Sequence, residues 1–154
     1  MRKVNAFDRK HVVARLLSIL NSKNAKDLLN EKVEVIINQA FPIEESYESD
    51  IMPQYTKKNK EQAMSDIYEL ADQRKGKIWG VFEDVNGMVE ETVAGLTGQD
   101  LENYKYYIMS SPVNMANLIL QHRAHTWVPT WIGAEKLDKQ NVDKFKAYLE
   151  ELAA

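Results

Sequence analysis

The chain has 154 residues, a size at which a hydrophobic core closes without metals or disulfides. It contains no cysteine, which removes disulfides, thiolate metal sites and thiol catalysis together. With 44% hydrophobic residues, 28% charged residues and a net charge of −3, it falls with globular proteins and outside the disordered and strongly cationic nucleic-acid-binding classes.

The charge is unevenly spread: residues 1–60 carry 11 Lys/Arg against 8 Asp/Glu, and residues 61–154 carry 9 against 15. No apolar run approaches the ~20 residues of a bilayer span. The opening MRKVNAFDRKH is polar, unlike a secretory signal. A cytoplasmic protein is expected. No internal repeat, low-complexity tract or linker divides the chain, so one domain over 1–154 is expected.

Asp8 is placed to cap a first helix, with Phe7 where a hydrophobic staple sits. Val12, Val13, Leu16, Leu17 and Leu20 then form one apolar face, and Asn21–Asn24 end it. Leu28, Leu29, Val33, Ile36, Ile37 and Ala40 predict a second helix, stopped by Phe41-Pro42. Residues 43–59 lose all periodicity and read as a long connection, acidic first and then basic through Lys57, Lys58 and Lys60. A third helix places Met64, Ile67, Tyr68 and Ala71 on one side, with Gly76 as its left-handed terminator.

Residues 77–93 read differently. Ile78, Trp79, Val81, Phe82 and Val85 are β-formers, and Asn86-Gly87 is a strong two-residue hairpin signal, so a small β-hairpin is expected. The competing reading is a short helix over 88–94 ending at Gly95. Thr97 or Gly98 opens the next helix, with Leu101, Tyr104, Tyr107 and Ile108 as its buried line. Ser110-Ser111-Pro112 is a break, a cap and a first-turn proline. The helix that follows runs to about His125, and Trp127 to Gly133 is extended or turned, bracketed by Pro129 and Gly133. Asp138 caps a last helix that buries Val142, Phe145, Leu149 and Leu152. The expected fold is mostly α: five to six helices with the small hairpin near 77–93.

The candidate chemistry concentrates in 104–131. His122 and His125, three apart on a helix, could supply half of a metal site with His11 or a carboxylate, but no motif nominates further ligands. The simpler reading packs one ring and solvates the other near a helix C-terminus, where imidazolium is favoured. No metal and no cofactor is assigned. Ser110, Ser111 and Thr126 lack the elbow motif of a catalytic serine, and capping accounts for the Ser-Ser-Pro run. The scattered glycines form no phosphate cradle. The helix pair 101–108 and 112–125 has helix-turn-helix proportions. If Asn114, Asn117, Gln121 and Arg123 face outward, they could read base edges.

Tyrosine, tryptophan and arginine are the residues of interface hot spots. The leading expectation is therefore a non-enzymatic binding protein: an adaptor, subunit or inhibitor. It would act by protein–protein contact through Tyr106, Arg123, His125, Trp127 and Trp131. Compact, cysteine-free accessory proteins of this kind are encoded by phages and mobile elements. A nucleic-acid-binding accessory protein using 112–125 is the alternative, and an enzyme with a histidine-centred site a weaker one. A homo-oligomer would use the same aromatic patch.

Overall fold

The computed structural model describes residues 6–22, 32–43, 54–73, 76–92, 95–128 and 139–153. Seven α-helices lie among them: α1 (Arg9–Leu20), α2 (Val33–Ala40), α3 (Lys60–Gln73), α4 (Ile78–Thr92), α5 (Gly98–Met109), α6 (Pro112–Trp127) and α7 (Lys139–Ala153). The protein is mostly α, with one helix more than expected and no strand among the described residues. None of these helices is long and apolar enough to cross a membrane.

Helix α6 is the axis of the fold. It packs against α1, α2, α3, α4 and α5, while α7 lies on α1. Its start is set locally, since Pro112 needs no N–H in the first turn and Ser111 Oγ accepts the Asn114 N–H at 3.2 Å. Val113 to Gln121 is buried without interruption. A helix surrounded on nearly every side shows no polar face, and here that brings three amides inside.

Two of those amides tie down distant carbonyls. Gln121 Nε2 donates to the Phe41 carbonyl at 2.6 Å, at the end of α2, and Asn117 Nδ2 donates to the Tyr55 carbonyl at 3.3 Å, ahead of α3. Four residues apart on α6, they hold the two sides of the connection between α2 and α3. Within that connection Tyr55 is buried, its hydroxyl donating to Asp66 Oδ2 at 2.7 Å, and Gln62 Nε2 donates to Asp66 Oδ1 at 2.7 Å. The buried carboxylate is satisfied by hydrogen bonds, as buried polar groups must be. Residues Lys57–Asn59 form a 3-10 turn capped by Thr56 and Asn59, with Lys57, Lys58 and Lys60 in solvent.

Local expectations hold in several places. Helix α1 begins after Asp8 with Phe7 and Val12 buried, although the Asp8 side chain makes no cap bond. Val33, Ile36, Ile37 and Ala40 line the inner face of α2, and Phe145 and Leu149 that of α7. Leu28, Leu29 and Asp138 lie outside the described residues.

The β-hairpin expected near 77–93 is corrected: residues 78–92 are the continuous helix α4. Val81, Val85 and Val89 are buried, with Ile78, Phe82 and Met88 packed beside them. That is a helical spacing, and a face offered to both α3 and α6 outweighs the β-preference of individual residues and the Asn86-Gly87 signal. The positive φ comes later, at Gly95, where 92° is open to glycine at little cost. Gly76 closes the end of α3 by donating its N–H to the Ala71 carbonyl at 3.1 Å.

Candidate binding surface

Helix α5 packs against α4 and α6. Ile108 is its one fully buried residue, with Leu101, Tyr104 and Met109 packed partly against the core. Residues 101, 104, 108 and 109 use up the inward stripe at helical spacing. Tyr106 falls opposite that stripe and is 77% exposed. Tyr107, expected inside, is 43% exposed, because Ile108 and Met109 occupy the inner positions next to it. Its ring stands 6.2 Å from that of Tyr104.

Trp79, in the first turn of α4, is 67% exposed and meets Phe82 edge-on with ring centroids 5.5 Å apart. Reading 77–93 as a strand hid this residue. On the helical stripe 78, 81, 85, 89 it points away from the core, and the period alone identifies it once the segment is read as a helix. Tyr68 of α3, also expected inside, is 50% exposed, since Asp66 and Ile67 take the inward positions.

The facing charges are acidic. Residues 78–109 hold six carboxylates (Glu83, Asp84, Glu90, Glu91, Asp100 and Glu102) against a single lysine. That lysine, Lys105, bridges the two helices by bonding Glu90 and lies 4.0 Å from Glu102. The hydrogen bond to Glu90 raises its pKa above the ordinary lysine value.

The other expected site residues sit elsewhere. Asn114, Asn117 and Gln121 are not outward: their exposures are 7%, 0% and 5%, and the amides of Asn117 and Gln121 are spent on internal carbonyls. The surface imagined for reading base edges is interior. Arg123 is half-buried, its Nη1 donating to the Phe7 carbonyl at 2.7 Å and its guanidinium lying 5.8 Å above the Phe7 ring. It fastens the entry to α1. Trp127 is not in an extended segment; it is the last residue of α6, packed partly against the core, and its carbonyl accepts the Tyr148 hydroxyl at 2.8 Å. Trp131 lies outside the described residues.

The three histidines have different surroundings. His11 is exposed on α1. His122 Nε2 stands 3.0 Å from Glu91 Oε2, joining α6 to α4. His125 is exposed, yet partial loss of solvent lowers its pKa below the ordinary 6.5, with the Glu34 carboxylate raising it and the His122 imidazole lowering it further. Among the described residues, no group of three or more His, Asp or Glu side chains is arranged to hold a metal ion. Ser110 Oγ donates to the Tyr107 carbonyl at 3.0 Å, and Thr126 Oγ1 to the His122 carbonyl at 2.9 Å. With the Ser111 cap, these are the bonds of helix ends.

The expected residues are spread along the fold, with Trp131 outside the described residues. Tyr106 belongs to the α5 surface near the α5–α6 turn, whereas Arg123, His125 and Trp127 begin about 16 Å up the α6 axis from Pro112 at 1.5 Å per residue. No family model matches the chain, and no curated protein or solved structure is significantly similar to it.

Proposed function

We propose that this chain is a non-enzymatic binding protein, an adaptor, subunit or inhibitor of the accessory kind. It meets a protein partner through the outward faces of α4 and α5. The observation that carries this reading is the exposure of Trp79 and Tyr106, at 67% and 77%, on helices whose inner stripes are already filled. Isolated exposed apolar residues are ordinary. Large aromatic rings held on rigid helices are a different matter, because they offer wide contact area at a small loss of side-chain freedom. The nucleic-acid reading loses its contact residues to the interior, so the aromatic face is preferred. A cysteine-free composition suits a reducing cytoplasm.

The test compares proteins co-purifying from the native host with the wild-type chain and with a Trp79→Ala/Tyr106→Ala variant. Both side chains are outside the core, so circular dichroism is expected to show an unchanged fold. At least one specific partner is expected to be lost. An identical set of co-purifying proteins would remove the surface from the account.

A further inference from the structure

The acidity of the α4–α5 face narrows the partner. Its carboxylates are not confined to one edge: Glu83 and Glu90 on α4 and Asp100 and Glu102 on α5 are all exposed. The single lysine of the segment lies between the helices with only 16% of its side chain accessible, held by Glu90 and Glu102. Apart from Lys77, exposed just before α4, the solvent-facing residues of α4 and α5 therefore carry mainly negative charge together with the rings of Trp79 and Tyr106. The faces of tryptophan and tyrosine rings attract cations, guanidinium above all. Both features select the same chemistry.

Resting on the binding reading above, we propose that the occupant of this face is a cationic protein segment. Its Lys/Arg side chains meet the α4 and α5 carboxylates and the exposed rings of Trp79 and Tyr106. Charge complementarity excludes the closest competitor, because a nucleic-acid backbone would be repelled by the same carboxylates. A second copy of the chain could offer its own basic residues, Arg9, Lys10, Lys57, Lys58 and Lys60, which are exposed. Pairing two different faces of identical chains is head-to-tail, however, and yields rings or open filaments instead of a closed dimer. The occupant is therefore a separate cationic segment and not a second copy.

The test is peptide display on the immobilised full chain, followed by affinity measurement on the enriched peptides. Enriched sequences are expected to carry an excess of Lys and Arg. Their affinity is expected to fall about tenfold or more in a Glu83→Lys/Glu102→Lys variant, and to fall again between about 0.05 and 0.5 M salt. Neutral or acidic peptides that are lost on Tyr106→Ala would overturn the cationic partner while leaving the binding surface in place. Peptides indifferent to Tyr106→Ala would overturn both, as would the absence of any enrichment. A concentration-dependent assembly in sedimentation, abolished by the same charge reversal, would overturn the separate segment and give the face to a second copy.

Discussion

Gln121 donates its side-chain amide to the Phe41 carbonyl at 2.6 Å, across eighty residues of sequence and inside the core. One turn earlier Asn117 makes the weaker version of the same contact, 3.3 Å to the Tyr55 carbonyl, with its Oδ1 lacking a partner among the described residues. Leucine at the two positions is expected to act unequally. Gln121→Leu strands a buried carbonyl and should destabilise by about 1–3 kcal/mol. Asn117→Leu removes an unsatisfied acceptor along with a long bond and should have the smaller effect. Urea unfolding of the two variants compares them, and a larger loss at Asn117 would contradict the pairing described.

Arg123 is expected to matter for stability and not for binding. Arg123→Ala removes the bond to the Phe7 carbonyl and the stacking on the Phe7 ring, an expected loss of about 1–3 kcal/mol. Partner capture at temperatures where the variant is folded should match wild type. Capture lost with stability intact would return Arg123 to the binding surface.

Helix α4 can be tested at one residue. A Cβ added at Gly87 meets nothing within 4 Å, so Gly87→Ala in a helix interior should stabilise by about 0.5–1 kcal/mol. In an Asn-Gly hairpin the same change would be destabilising, because that turn needs positive φ at the glycine. Gly95→Ala should do the opposite of Gly87→Ala and destabilise by about 1–2 kcal/mol, since φ there is 92°. Thermal melts of the two variants decide it.

These contrasts show what the sequence could reveal. Helix ends written in local chemistry, such as Ser111-Pro112, and stripes with one clear period, such as Phe145 and Leu149, were legible. So was Tyr106, which no inward stripe could use. The amides of α6 were not, because whether Asn117 or Gln121 faces inward depends on carbonyls 62 and 80 residues away. The 78–92 segment carried two signals at once, and only its packing between α3 and α6 chose the helix over the turn. Trp79 was lost with that choice.

His125 gives a pH dependence with a definite sign. Its pKa in the folded chain lies below the ordinary 6.5, chiefly through partial burial, so the unfolded chain binds the proton more readily. The neutral ring's contribution is complete above about pH 6.5 and is lost as pH falls from there to the folded value. His125→Asn should flatten the curve of urea midpoint against pH in that window relative to wild type. The effect is shallow because the ring keeps solvent contact. A steeper curve in the variant would contradict the assignment.

The α4–α5 face is tested most directly by a photo-crosslinking amino acid placed at Tyr106, with Ala14, exposed on α1, as the control position. The account predicts a discrete adduct with a protein from Tyr106 in cells and none from Ala14. Equal labelling from both positions, or none from Tyr106 with the fold intact, would contradict it.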